Sequence, residues 1–369
     1  MDDQYFCYTR HSKIAEGADR MTKVITGYLG SYTKVVSKGV YRFSFDTGQA
    51  KIVEVTPVAE LSNPTYVTVS ANNKYLYAVT QEGDQGGITA FSIDQATKEL
   101  TKLNSLTEAG SPPCHVSVNQ DQSIVVTANY HTKQIISYLT NPDGSLKEVA
   151  DIAIHEGSGP HERQEKPHMH YAGFSPDQKY VFAVDLGSDE ITTYAIDQIG
   201  KLQKKHVLKT PAGSGPRHLA FAANGEYAYA MTELSSEVLT LKYDQADGSF
   251  ELLQQLKAIP DSFNEVNDGS AIHVTSDGKF VYVGNRGHNS IAIFKVNQDT
   301  HLLEFVDWTS TEGDWPRDFV LTPDEKFLIA SNQKSGTLTV FERELETGKL
   351  TLKQANVKAP EVVCVKFMN

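Results

Sequence analysis

The chain has 369 residues and carries 46 Asp and Glu against 34 Lys and Arg, a formal net charge of −12. This balance argues against a nucleic-acid-binding protein, because affinity for the phosphate backbone comes from clustered Lys and Arg. Hydrophobic residues make up 40% of the chain and charged residues 22%. No stretch of about 18 consecutive apolar residues predicts a membrane span. The composition is typical of a soluble globular protein.

The cysteines and the first residues bear on the cellular compartment. Cys7, Cys114 and Cys364 are widely spaced and form no CxxC pair, so they predict neither a disulfide framework nor a zinc site. The first twenty residues are rich in charge and lack the apolar core of a secretory signal. We therefore expect a cytoplasmic protein. Residues 1–22 also fall outside the repeats described next, and we interpret them as an N-terminal arm.

A sevenfold repeat occupies the rest of the chain. Its first element is a strand-like run that ends in a polar residue. Successive copies of this run are on average about 51 residues apart, which is close to the length of a propeller blade. The seven runs end at Tyr28, Thr80, Asn129, Asp185, Thr232, Asn285 and Asn332.

Turn signals divide each repeat into four strands. Turns rich in Asx, Gly and Pro recur before six of the runs, as at Ser276-Asp277-Gly278, and again further on, as at Glu346-Thr347-Gly348. Four antiparallel strands repeated radially form a β-propeller. The first repeat lacks its first strand, and residues 360–367 have the pattern of the missing one. We therefore predict an all-β, seven-bladed β-propeller over residues 23–369, with the C-terminal strand closing the first blade.

The repeat also predicts which residues converge. The first strand of a repeat starts, and the second ends, on the same face of the disc around the central channel. Arg and His dominate these positions, which suits a small anionic substrate. The candidate residues are His115, His168, His170, Arg217, Arg317, Asn129, Tyr130, Asp185, Glu233, Asn285, Arg286, Asn332 and Gln333.

One connection breaks the regularity of the repeats. Residues 154–170 form a long loop with four His, and long loops at such a face are where function concentrates. His168 and His170 would share one face of a strand. A metal site is an alternative interpretation of this pair, which the nearby cations Arg217 and Arg286 oppose. We predict no metal site and no cofactor.

Several stretches spread over the blades resemble a known family. They are residues 162–165 and 167–170, Gly215-Pro216-Arg217-His218, residues 232–236, residues 271–274 with 276–279, Gly284-Asn285-Arg286-Gly287 and Trp315-Pro316-Arg317. In these motifs the chain resembles the seven-bladed propeller lactonases. That family includes propeller-type 6-phosphogluconolactonases and fungal carboxy-cis,cis-muconate cyclases.

The resemblance implies a cofactor-independent lactone hydrolase. Its substrate would be 6-phosphoglucono-δ-lactone, opened to 6-phosphogluconate in the pentose phosphate pathway. By motif, the catalytic residues would be His170, Arg217, Glu233 and Arg286, with His168 as an alternative to His170. Glu233 or a histidine would be the base, and an arginine would stabilise the oxyanion. The expected substrate-binding residues are His168, Arg317, Asp185, Asn285 and Gln333, with Arg317 at the phosphate.

Other interpretations stay open at this stage. The protein could be a carboxymuconate-type lactonising enzyme, another lactonase, a calcium-dependent sugar lactonase of a different propeller family, or a non-catalytic propeller scaffold. Glu233 could also form only a rim salt bridge with Arg286, and the polar residues at equivalent repeat positions could be turn residues. We expect a small anionic sugar lactone as the partner, without nucleic acid or membrane. The oligomeric state, monomer or dimer, stays open.

Overall fold

The computed structural model describes residues 23–369, so the predicted N-terminal arm at 1–22 lies outside the described residues. Strands account for the regular structure of this part of the chain. The strands of the first three repeats are β1 (Val24–Ser31), β2 (Gly39–Asp46), β3 (Lys51–Glu60), β4 (Val67–Val69), β5 (Tyr75–Glu82), β6 (Gln85–Ile93), β7 (Leu100–Ala109), β8 (His115–Val118), β9 (Ile124–Asn129), β10 (Gln134–Thr140) and β11 (Leu146–Ile154).

The remaining strands continue the same order. In the fourth and fifth repeats they are β12 (Met169–Phe174), β13 (Tyr180–Asp185), β14 (Glu190–Ile196), β15 (Leu202–Lys209), β16 (Pro216–Phe221), β17 (Tyr227–Thr232), β18 (Glu237–Tyr243) and β19 (Phe250–Lys257). The last are β20 (Asp268–Val274), β21 (Phe280–Arg286), β22 (Ser290–Val296), β23 (Leu303–Ser310), β24 (Pro316–Leu321), β25 (Phe327–Asn332), β26 (Thr337–Arg343), β27 (Leu350–Lys358) and β28 (Val362–Phe367).

Over residues 23–369 these strands form seven four-stranded antiparallel sheets, one per blade. The innermost strands contact one another around the ring in the order β28, β4, β8, β12, β16, β20 and β24. Blade 1 has the strand order β28-β1-β2-β3. The predicted seven-bladed propeller and its closure by the C-terminal strand are therefore confirmed.

The joint between the chain ends is tightly packed. β28 pairs antiparallel with β1, with Gly27 opposite Phe367. The Phe367 ring makes an edge contact with Phe43, at 5.0 Å between centroids. Gly27 allows this approach, because a Cβ atom there would lie 2.4 Å from the Phe43 ring and 2.5 Å from the carbonyl oxygen of Lys366.

The apolar core lies between neighbouring blades, and a repeated hydrogen bond joins the blades at their edges. In five blades a tyrosine of the second strand donates its hydroxyl to a backbone carbonyl in the outer turn of the next blade. These bonds run from Tyr28 to Lys98, Tyr77 to Gly144, Tyr180 to Ala246, Tyr229 to His301 and Tyr282 to Gly348. The outer turns predicted from Asx and Gly therefore also dock blade against blade.

Residues 23–369 contain no helix with the length and apolar character needed to cross a membrane.

Candidate active site

A buried carboxylate organises the mouth of the channel. Glu233 directly follows β17, and its side chain meets arginines from blades 5 and 6. Arg217 Nε lies 3.0 Å from Glu233 Oε2, and Arg286 Nη2 lies 2.6 Å from the same oxygen. All three side chains are almost inaccessible to solvent. Arg286 Nη2 also donates to the carbonyl oxygen of Gly269, at 2.6 Å.

A third arginine completes the cluster from the His-rich loop. Arg163 donates to Glu233 Oε1 and, at 2.9 Å, to Asp268 Oδ1. Its side chain is 36% exposed, against 4% for Glu233. The irregular loop and the motif around Arg163 were visible in the sequence, but Arg163 was not among the predicted site residues. The signal in the sequence was a charged residue in an irregular loop. The repeat does not show that Arg163 pairs with Glu233, which is 70 residues further along the chain.

The loop that carries Arg163 is fixed by its neighbour. Gln164 is fully buried, and its Nε2 donates to the carbonyl of Leu186 at 2.8 Å and to Asp189 Oδ1 at 2.7 Å. The backbone N–H of Gly159 donates to the carbonyl of Gln164 at 3.0 Å. The Arg163 backbone is therefore held in place while its side chain reaches over the cavity.

The three arginines keep Glu233 ionised. Burial is the largest influence on the pKa of Glu233 and raises it, but the charges of Arg286 and Arg217 outweigh burial and hold the pKa well below its ordinary value of 4.5. Burial, and then the charge of Arg286, lowers the pKa of Arg217 to about 10. Both groups are charged at neutral pH.

His170, on β12, is the neutral group of the site. Burial, and then the charge of Arg217, holds the pKa of His170 well below 6.5, while Glu233 opposes this shift. Its Nδ1 is buried and has no hydrogen-bond partner among residues 23–369. At neutral pH the imidazole is therefore unprotonated and able to take a proton.

These groups line a cavity of about 410 Å³ that opens at the channel mouth. This volume is in the range of small-molecule sites. The lining residues are Tyr32, Lys34, Asn63, Thr65, Gln81, Ser111, Pro112, Pro113, Cys114, Tyr130, His131, Arg163, His170, Glu233, Arg286 and Arg317. Arg217 lies behind Glu233 rather than in the lining. Burial raises the pKa of Cys114 to about 11, so this thiol is protonated at neutral pH and is not a thiolate nucleophile.

Closely packed aromatic rings lie next to the site. The His115 ring packs between Tyr66 and Tyr171, at 4.3 and 4.5 Å between centroids. His218 packs against His115 at 5.5 Å, and its Nε2 lies 3.3 Å from Arg217 Nη1. His218 thereby connects these aromatic rings to the charged cluster.

His168 does not line the cavity. Its Nδ1 lies 2.9 Å from the carbonyl oxygen of Tyr130 and its Nε2 lies 3.2 Å from a carboxylate oxygen of Glu165. The ring stacks on that of Tyr130, with 4.1 Å between centroids. Since Tyr130 itself lines the cavity, His168 supports the wall of the site from behind.

The other expected substrate-binding residues differ in placement. Asp185 accepts hydrogen bonds from the backbone of His168 and Gly187 and from Ser188, and Asn285 donates to the carbonyl of Ala258 at 2.8 Å. Both are therefore engaged in local structure away from the cavity. Arg317 lines the cavity, and Gln333 lies outside the lining but accepts a hydrogen bond from Arg317 Nη1 at 3.3 Å.

The site has the character of an anion-binding pocket. Within residues 23–369, no three His, Cys, Asp or Glu side chains are grouped so that they could hold a metal ion. The arginine side chains of the site instead favour a ligand with carboxylate, phosphate or oxyanion character.

Comparisons with known proteins agree with this fold. A family model described as lactonase, seven-bladed β-propeller, matches residues 26–367. The chain is 50% identical over 349 residues to the 6-phosphogluconolactonase of Bacillus subtilis. The aligned region covers 95% of this chain and 99% of the relative.

Two solved structures are similar over most of their length. A protein from Lactobacillus plantarum has a TM-score of 0.91 at 39% identity, covering 94% of this chain and 100% of that one. The periplasmic gluconolactonase of Pseudomonas aeruginosa has a TM-score of 0.89 at 30% identity, covering 94% and 99%. The chain therefore belongs to the seven-bladed β-propeller lactonase family.

Proposed function

We propose that the protein, a lactone hydrolase by its family, opens 6-phosphoglucono-δ-lactone with water to give 6-phosphogluconate. The relative of that name at 50% identity supports this substrate. The observation that carries the proposal is the cavity itself, in which neutral His170 lies beside arginines gathered around Glu233. The place of this reaction would be the pentose phosphate pathway, in the cytoplasm.

His170 is the general base of the proposed mechanism. A base must be unprotonated and accessible to water. His170 is unprotonated at neutral pH and, although the residue is only 4% exposed, it lines the cavity that a water molecule would enter, whereas both oxygens of Glu233 are engaged by arginines. His170 takes a proton from a water molecule, and the water oxygen forms a bond to the lactone carbonyl carbon.

Arg286 and Arg163 stabilise the charge that this attack creates. The carbonyl oxygen becomes an oxyanion, and these two guanidinium groups are the ones of the Glu233 cluster that line the cavity. When the intermediate collapses, the bond between the carbonyl carbon and the ring oxygen breaks. The imidazolium of His170 returns its proton to the leaving ring oxygen, and the new carboxylic acid ionises.

Glu233 and Arg217 act through the groups they hold. Glu233 orients Arg163 and Arg286, and its negative charge favours the imidazolium that forms on His170. Arg217 holds Glu233 from the buried side, at 3.0 Å. In this proposal His168, Asp185 and Asn285 are positioning residues, and Arg317, supported by Gln333, binds the phosphate.

A second candidate substrate is unphosphorylated gluconolactone. The fold and 30% identity shared with the Pseudomonas aeruginosa gluconolactonase favour it. The two lactones differ in a phosphate, so the proposals differ in whether the cavity has cations free to bind it.

Turnover of the two lactones tests the proposal. Acid release is followed from freshly generated 6-phosphogluconolactone and, in parallel, from gluconolactone, with the spontaneous rate subtracted. We expect a higher kcat/KM for the phosphorylated lactone, unchanged by EDTA. Equal or greater activity on gluconolactone would favour the second candidate. No activity on either would overturn the proposed function, and loss with EDTA would overturn the metal-independent mechanism.

A further inference from the structure

Two cations of the cavity are not neutralised. Arg163 and Arg286 are both paired with Glu233. Lys34 and Arg317 also line the cavity, but within residues 23–369 neither forms an ion pair with a carboxylate. The only side-chain hydrogen bond of Arg317 in that range is the one to Gln333. Their positive charge is therefore available to a ligand.

Tyr32 brings these two cations together. Lys34 Nζ lies 4.5 Å from the centroid of the Tyr32 ring, and the Arg317 guanidinium lies 5.8 Å from the same centroid. Both distances are within the range of cation–π attraction. Tyr32 also lines the cavity. An ammonium and a guanidinium are thus gathered at one phenol ring, which comes from blade 1, while Glu233 comes from blade 5 across the ring.

The segment that presents Lys34 is anchored by one carboxylate. Glu361 accepts the backbone N–H groups of residues 34–37, at distances from 2.8 to 3.2 Å. Although burial raises the pKa of Glu361, these hydrogen bonds hold it below 4.5. The loop between β1 and β2 is therefore fixed to the segment before β28, and Lys34 is held at the cavity edge by its backbone.

We propose that Lys34 and Arg317, gathered by Tyr32, form the subsite for the phosphate of the substrate, and that Glu361 positions this subsite. The inference rests on the proposed function and deepens it. A phosphate monoester carries nearly two negative charges at neutral pH, which two unpaired cations match. Binding energy gained at the phosphate then positions the lactone ring at His170. The subsite makes the enzyme specific for the phosphorylated lactone.

Kinetics on both lactones test the subsite. In Lys34→Met and in Arg317→Met, we expect kcat/KM for 6-phosphogluconolactone to fall about 10-fold or more, since each loses a charge-assisted contact. At neutral pH, where His170 is unprotonated, we expect the value for gluconolactone to fall much less, because that lactone has no phosphate. Lys38→Met is the matched control, because Lys38 is exposed in the same loop and does not line the cavity. An equal loss on both lactones, or no loss, would overturn the subsite.

Glu361 has a test of its own. In Glu361→Ala we expect kcat/KM for the phosphorylated lactone to fall, because the phosphate no longer positions the lactone ring as well, and gluconolactone kinetics to stay close to those of the wild type. Glu361→Gln, which keeps an acceptor oxygen, should recover part of the loss. A fall in kcat on both lactones would instead assign Glu361 a purely structural role and contradict its positioning of the subsite.

Product binding separates this inference from the proposed function. By calorimetry, the wild type and Lys38→Met should bind 6-phosphogluconate more tightly than they bind gluconate. The double variant that combines Lys34→Met with Arg317→Met should lose this preference. If the wild type hydrolyses the phosphorylated lactone but the double variant keeps the preference, the subsite is wrong and the proposed function stands. If the wild type hydrolyses neither lactone, the proposed function fails and the binding preference alone decides the subsite.

Discussion

The guanidinium of Arg286 and the carboxylate of Glu233 lie 2.6 Å apart, although the residues belong to neighbouring blades and come from separate repeats. Arg286 directly follows Asn285, and Glu233 directly follows Thr232. Asn285 and Thr232 are the polar residues that end the strand-like runs of their repeats. Glu233 and Arg286, which both depart from the repeat, therefore contact each other, and the site forms where the sevenfold pattern is interrupted.

Loss of the Glu233 charge should destabilise the fold. In Glu233→Gln the buried Arg217 and Arg286 lose their counterion, and removing one partner of a buried pair typically costs about 3–5 kcal/mol. We expect the free energy of unfolding, from denaturant titration, to fall by about 3 kcal/mol. Glu312→Gln is the control, because Glu312 is exposed. A loss in Glu233→Gln no larger than in the control would show that the cluster does not stabilise the protein.

Arg163 should matter to the rate more than to stability. Its side chain is partly exposed, and Glu233 keeps two other arginines without it. In Arg163→Gln we expect kcat to fall about 100-fold, as for the loss of an oxyanion donor, with little change in the melting temperature. Arg42→Gln serves as control, since Arg42 pairs with Glu54 and Glu99 away from the cavity. Unchanged kcat in Arg163→Gln would remove Arg163 from the mechanism.

The pH profile should report His170. Protonation inactivates the base, so kcat/KM falls as pH drops through the pKa of His170. Because burial and the charge of Arg217 hold that pKa well below 6.5, we expect the acid limb to lie below pH 6.5. Arg217 lowers this pKa, so the limb should move to higher pH in Arg217→Met. Arg317 acts in the same direction, and Arg317→Met provides a milder variant. An acid limb that stays in place in both variants would assign it to another group.

Closure of the ring should depend on Phe367. This side chain of β28 contacts Phe43 and Phe45 of β2. In Phe367→Ala we expect the free energy of unfolding to fall by about 3–5 kcal/mol, the usual cost of truncating a buried aromatic residue. Phe305→Ala is the control, because Phe305 lies on the outer strand β23 and is 43% exposed. Equal losses in the two variants would argue against a special role for the joint.

The fold was predictable because the strand and turn pattern of one blade occurs seven times in the sequence. Each copy of the run and its turns supports the others, and the absent first strand identified residues 360–367 as the closing one. Strand pairing of Gly27 with Phe367 is the outcome. Within the candidate site, Glu233 and Arg286 were visible as deviations from the repeat, and Arg217 and His170 were visible through motifs at strand starts.

The repeat could not predict what loops and local bonds decide. Arg163 and Lys34 belong to loops whose course is set by Gln164 and Glu361, and no periodicity reports such anchors. Conversely, position on the mouth face drew attention to Asp185 and His168, whose hydrogen-bonding groups are engaged by neighbouring groups. Position in the repeat indicates where a residue lies, but only its partners show whether it is free to meet a substrate.

The most direct test of the account is the rate at which wild type and His170→Gln hydrolyse freshly generated 6-phosphogluconolactone near pH 6.5, with spontaneous opening subtracted. We predict turnover by the wild type and a loss of about 10²–10⁴-fold in His170→Gln, the usual contribution of a general base, with the melting temperature preserved. Wild-type turnover that the substitution leaves unchanged, or a wild type with no turnover, would contradict it.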